Sequence, residues 1–131
     1  MSDTGQPGQA GQAEQGMQVR REVLGDELQD FITRYAWGEI WSRPGLTRAE
    51  RSIITLTALA ALRQDEELAM HVRGAVRNGL TPEQIREVLL QVAVYAGVPA
   101  ANRGFAVAQG VLAELAAQDG QAATGEHRPA E

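Results

Sequence analysis

The chain has 131 residues, 44% of them apolar and 22% charged, and a formal net charge of −5 at pH 7. That length fits a single domain, and the acidic balance excludes the clustered Lys/Arg footprint of a nucleic-acid-binding surface. The absence of cysteine excludes disulfides, thiol redox chemistry and thiolate metal sites, and with only His71 and His127 as histidines a transition-metal site is not expected.

Residues 1–16 alternate Gly, Gln, Ala and acidic residues, too polar to offset the entropy of ordering, and are predicted to be disordered. The same test predicts a disordered tail over 118–131. The N-terminus has no apolar stretch of the kind a signal peptide needs, and no run approaches the length of a membrane span. The expectation is a cytoplasmic protein with no membrane or nucleic-acid partner. The folded body is expected over 17–117, and its apolar residues recur with helical periodicity throughout.

The first helix is predicted from about Asp26, with Leu28, Phe31, Ile32 and Tyr35 at i, i+3, i+4, i+7. Trp37, Ile40 and Trp41 widen its apolar face to almost the whole circumference, the pattern of a helix that is buried or lies against another subunit. Arg43-Pro44-Gly45 ends it. Thr47-Arg48-Ala49-Glu50 has the form of a capping box and opens a second helix running to about Arg63. That helix is so apolar (Ile53, Ile54, Leu56, Leu59, Leu62) that it is expected to be the central core helix. A third is predicted from about Asp65 to Asn78, stopped by Gly79. Thr81-Pro82-Glu83-Gln84 restarts the chain with an N-cap and a proline in the first turn. Gly97-Val98-Pro99 breaks it again before a last helix carrying Phe105, Val111, Leu112 and Leu115. No segment alternates with period two, so the fold class is all-α, with short loops joining helical hairpins.

The third helix carries the best acid–base couple available to a cysteine-free chain. Leu68, Val72, Ala75 and Val76 make its core stripe, and Glu67, His71 and Gly74 lie along the border of that stripe. Spacing alone leaves two readings open. In one, Glu67 orients His71 and raises its basicity, so the imidazole moves a proton near neutral pH. In the other, the two form an ordinary i, i+4 surface pair. Arg51 stands in the first turn of its helix, against the dipole, which suggests a second task such as holding a carboxylate. Arg34, Arg48 and Arg73 are further cationic candidates, each equally readable as a solvated or ion-paired side chain. Trp37 and Trp41 suit either a pocket for a flat ligand or a core or interface. Tyr95 is a hydrogen-bond donor or a satisfied core tyrosine, and Asn102 is a cap or a ligand contact.

Several runs carry a resemblance. Gly16-Met17-Gln18-Val19-Arg20-Arg21-Glu22-Val23-Leu24-Gly25-Asp26, the run Arg34-Tyr35-Ala36-Trp37-Gly38-Glu39-Ile40-Trp41, and Arg51-Ser52-Ile53-Ile54-Thr55-Leu56 resemble the carboxymuconolactone decarboxylase family. So do Met70-His71-Val72-Arg73, Arg77-Asn78-Gly79-Leu80, and Tyr95 followed by Gly97-Val98-Pro99-Ala100-Ala101-Asn102. The resemblance implies an AhpD-like helical bundle of about five to six helices, assembled as a homotrimer or homohexamer. It implies a cofactor-free decarboxylation of 4-carboxymuconolactone to 3-oxoadipate enol-lactone and CO₂, in the β-ketoadipate route of protocatechuate breakdown. In that reaction His71 and Glu67 are the expected catalytic pair, with Arg51, Arg34, Tyr95, Asn102 and Trp37 as substrate contacts. No cofactor and no metal are expected.

The chain departs from the family pattern in several places. The stretch between Asp26 and Phe31 is shorter, Ala96 stands where a cysteine is frequent, and Ala106 replaces a histidine after the final-helix Phe105. Glu67 occupies the place of the second cysteine of the peroxidase-type members, which excludes thiol peroxidase chemistry. A non-catalytic oligomeric scaffold, or a decarboxylase or isomerase of another small lactone or keto acid, are the alternative expectations.

Overall fold

The structure, a computed structural model, describes residues 25–126, with side chains described to residue 121. Among the described residues there are five α-helices and a π-helical segment, and no strand. Helix α1 spans Asp26–Ile32 and runs directly into the π-helical segment Thr33–Ile40. Then come α2 (Arg48–Ala61), α3 (Asp65–Arg77), α4 (Pro82–Ala96) and α5 (Val98–Glu126). The disorder expected for 1–16 falls on residues outside those described.

Local chemistry sets most helix ends. At α2 the Thr47 hydroxyl accepts from the Glu50 amide at 3.1 Å, while the Thr47 amide donates to the Glu50 carboxylate at 2.8 Å. Thr81 and Gln84 repeat the device at α4, with Pro82 in the first turn. Helix α3 closes with Gly79 at φ +101°, the Leu80 amide donating back to the Ala75 carbonyl at 3.0 Å and the Gly79 amide to Val76 at 3.1 Å. Helix α2 ends in the same motif, Gln64 N to Leu59 O at 2.9 Å and Arg63 N to Ala60 O at 3.1 Å, but the left-handed position holds Arg63 at φ +58°. Without a glycine there, the sequence marks this boundary only by its fading periodicity.

The core lies where α3, α4 and α5 meet, with one stripe of α2 laid across them. Leu68, Val72 and Ala75 from α3 meet Ile85, Leu89 and Val92 from α4 and Ala100, Ala101 and Ala108 from α5, all of them buried. Gly104 is what lets α5 approach so closely: a Cβ there would stand 2.9 Å from a Leu89 methyl and 3.5 Å from Ala60 Cβ.

Three expectations need correction. Helix α2 is not the centre of the core. It buries only Ser52, Leu56 and Ala60, while Ile54 and Leu62 remain 56% and 68% exposed, because one chain covers only one side of an all-round apolar helix. Leu28, Phe31 and Tyr35 of the first helical stretch are likewise about half exposed, so this helix is not buried within its own chain, and the buried residue of α1 is polar Gln29. Gly74, placed on the border of the α3 stripe with Glu67 and His71, is buried. Finally, α5 continues through 118–126 instead of ending near residue 117. Residues 118–121 bury nothing, so this turn extends the helix without core contacts, and a test for burial does not register such an extension.

Candidate active site

The site is built on the middle of α3, where three acidic residues (Asp65, Glu66, Glu67) occupy the first turn, favourably placed against the helix dipole. One turn on, His71 shares a face with Glu67, and its Nε2 lies 4.0 Å from a Glu67 oxygen. That is an ion-pair distance, longer than a hydrogen bond. The His71 side chain is 18% exposed and Glu67 37%, so the pair can be reached from solvent without being fully wetted.

The feature that turns this pair into a site comes from far away in sequence. In the π-helical segment the amide of Trp41 donates to the Ala36 carbonyl at 2.9 Å, an i to i−5 bond that closes the wide turn. Trp37 and Trp41 stack on each other, with centroids 5.4 Å apart, and both lie close to parallel with the imidazole of His71. The Trp37–His71 centroids are 6.1 Å apart at 8°, and the Trp41–His71 centroids 6.4 Å apart at 17°. Such offset-parallel pairs are worth about 0.5–1.5 kcal/mol each beyond area burial. π-Helical geometry is rare, and where it interrupts an α-helix it is frequent at functional sites.

Arg51 is nearby in the chain path. Its Nη2 donates to the Arg43 carbonyl at 3.2 Å, two residues beyond Trp41, and so ties the turn after the π-helical segment to α2. Its Nε is buried and has no hydrogen-bond partner among the described residues. An unpaired guanidinium N–H out of water is costly, and a carboxylate is its natural complement. Next to Arg51, buried Ser52 accepts from the Asn78 side chain at 2.9 Å, joining the first turn of α2 to the end of α3.

The other sequence candidates are not gathered into this cluster. Arg34 is exposed on the π-helical segment. Tyr95, 81% exposed at the end of α4, and Asn102, exposed early in α5, make no side-chain hydrogen bond among the described residues. Arg73 pairs with Glu114 at 2.6 Å and Arg103 with Asp65 at 2.5 Å, so these two arginines clip α3 to α5. Burial and the neighbouring Arg73 push Arg77 below its ordinary value. Among the described residues no group of three or more His, Cys, Asp or Glu side chains converges as a metal site. Trp41 was paired with Trp37 by its i, i+4 spacing, but nothing local in the sequence signalled that both would meet an imidazole 30 positions further on.

Residues 26–110 match the Carboxymuconolactone decarboxylase family, and the chain belongs to that family. It is 41% identical over 116 residues to the 4-carboxymuconolactone decarboxylase of Acinetobacter baylyi, a match covering 77% of this chain and 87% of the relative. It is 37% identical over 117 residues to the nitrosuccinic acid decarboxylase NpaB of Metarhizium robertsii, covering 78% of this chain and 82% of the relative. A third relative, an uncharacterized 15.0 kDa protein of Paracoccus denitrificans, is 31% identical over 80 residues, or 60% of each chain. The chain is a carboxy-lyase. No helix among the described residues is long and apolar enough to cross a membrane.

Proposed function

We propose that this carboxy-lyase decarboxylates 4-carboxymuconolactone to 3-oxoadipate enol-lactone and CO₂, as a cytoplasmic step of protocatechuate degradation. The observation that carries the reading is His71, its ring set against two indoles and Glu67 4.0 Å away, in a chain 41% identical to a decarboxylase of that lactone.

The chemistry asks little of the protein beyond binding and one proton. The lactone carries a carboxylate and an acetate arm on its γ-carbon. When the carbon–carboxylate bond breaks, its electron pair moves into the ring, the ring double bond shifts, and charge collects on the lactone carbonyl as a dienolate. The substrate is its own electron sink, so no cofactor is required. The dienolate then takes a proton at the α-carbon. His71 supplies that proton or donates to the dienolate oxygen, with the Glu67 charge beside it. Arg51, whose Nε is without a partner among the described residues, holds the acetate arm. An arginine on the departing carboxylate would stabilise the ground state more than the transition state, so the clamp belongs on the arm that stays. Trp37 flanks the flat ring. Assembly into a homotrimer or homohexamer completes the reading, supported by the apolar faces of α1 and α2 that the single chain leaves open.

A second reading has its own observation. The 37% identity to a nitrosuccinic acid decarboxylase supports a different small dicarboxylic acid as substrate. The test is CO₂ release from freshly generated carboxymuconolactone, with nitrosuccinic acid in parallel. Turnover of the first at the higher kcat/KM supports the proposal, and turnover of the second alone replaces it. His71→Ala should lower kcat by about 10²–10⁴-fold, with Glu67→Gln lowering it less. A His71→Ala enzyme within a few-fold of wild type would remove His71 from the acid role.

A further inference from the structure

We propose that Ser52 and Asn78 are positioning residues for the decarboxylation: the hydrogen bond between them sets how far the Arg51 end of α2 stands from α3, which carries His71. The inference deepens the decarboxylase reading and rests on the Arg51 and His71 roles proposed there.

Helices α2 and α3 form an antiparallel hairpin joined through Leu62, Arg63 and Gln64. That turn fixes the pair at one end only. Arg51 and Asn78 lie at the other end, where Asn78 Nδ2 donates to Ser52 Oγ at 2.9 Å. Ten residues of helix, about 15 Å, separate Ser52 from the turn, so a change of about 4° in crossing angle moves the open end by about 1 Å. Apolar packing is non-directional and holds crossing angles only to within about 15–20° of the preferred classes. A hydrogen bond is directional and fixes a distance.

The location gives the bond its consequence. Ser52 is 3% exposed and is the polar member of the buried stripe of α2, with Leu56 and Ala60. Replacing both partners of such a bond by apolar groups is close to neutral for stability, so closing the core does not by itself require the pair. Ser52 directly follows Arg51, whose guanidinium donates to the Arg43 carbonyl. Arg43 stands two residues past Trp41, whose ring lies 6.4 Å from the imidazole of His71. On α3, His71 and Asn78 are seven residues apart, on one face and about 10 Å apart along the axis. Arg51 grips the acetate arm and His71 delivers the proton. The spacing of α2 and α3 at this end therefore sets where the α-carbon stands relative to the imidazole, and misplacement by about 1 Å costs on the order of 10²-fold.

The test is steady-state kinetics on the full-length protein with Ser52→Ala, Asn78→Ala, the double variant and Ser52→Thr, and urea midpoints measured beside them. Arg51 is intact in all four, so the lactone still binds. Each single alanine variant should lose about 10–100-fold in kcat, with KM within about threefold of wild type. The double variant should fall no further than either single, because the second substitution has no bond left to break. Ser52→Thr keeps the hydroxyl and should hold kcat within about threefold of wild type. Lower urea midpoints with kcat and KM unchanged would overturn the inference in favour of a bond that only fastens the fold. A raised KM with kcat unchanged would also overturn it, as would single effects that multiply in the double variant. If the wild type releases no CO₂ from the lactone, the proposed function falls, and crystal structures of wild type and Ser52→Ala still decide the inference. A changed Arg51–His71 separation supports it, and an unchanged one overturns it.

Discussion

Thr47 and Glu50 show how much a short pattern can encode when its physics is local. Each satisfies the other's exposed donor at the first turn of α2. The Thr47 amide, and secondarily its hydroxyl, holds the Glu50 carboxyl below its ordinary value. A group lowered in the folded state contributes stability above its unfolded value, and that contribution is lost as pH falls through the folded one. Thr47→Ala removes the N-cap hydroxyl and should cost about 1 kcal/mol, read by urea denaturation. Glu50→Gln keeps the cap geometry and should remove the part of the acid sensitivity between about pH 5 and 3 that this carboxyl supplies. The Glu67–His71 spacing was equally visible at this scale. Its two readings were not separable there, because an i, i+4 pair is the same in sequence on a surface and in a site.

At the scale of elements, the legible boundaries were those marked by a residue with only one good use. Gly79, Gly97 and the two Thr N-caps all stand where the pattern predicts. The end of α2 was harder to see because Arg63 fills the left-handed position there. Arg63→Gly should raise stability by about 0.5–1 kcal/mol, seen as a higher urea midpoint with an unchanged m-value. A lower midpoint would mean that the arginine side chain contributes more than its backbone strain costs. The π-helical form of Thr33–Ile40 left no mark in the sequence. Its residues read as a continuation of the preceding helix, since the extra backbone width of a π-turn reflects what the segment packs against and not its own propensities.

For the whole molecule, the apolar surface is distributed unevenly. The core of α3, α4 and α5 is closed, while Ile53, Ile54 and Leu62 on α2, Phe31 and Tyr35 at the first helical stretch, and Leu90 and Val94 on α4 are exposed. Scattered apolar residues need no explanation, but i, i+4 pairs such as Phe31/Tyr35 and Leu90/Val94 form faces. Sedimentation equilibrium should give a mass three or six times the 14.1 kDa chain. Val94→Lys combined with Ile54→Lys should shift the distribution toward monomer, and a wild-type monomer at all concentrations would dismiss the assembly. The Arg73–Glu114 and Arg103–Asp65 clips are solvent-exposed and contribute only about 0–1 kcal/mol each, so the helices are held together by packing.

The sequence by itself determined the all-helical class, the order of the helices, their capped starts, the stripe of α3 and the identity of His71 as the histidine to examine. All of these follow from periodicity, from caps a few residues long, or from the scarcity of a residue type, so no long-range information is needed. Only the tertiary structure decided which side of each apolar helix is buried, and it moved the core away from α2. It also decided that Trp37 and Trp41 come to lie near His71, that Arg51 keeps a buried donor unpaired among the described residues, and that Tyr95 and Asn102 stand apart in solvent. Those outcomes depend on how helices distant in sequence meet, and the meeting is governed by the packing of whole faces, which local spacing does not contain.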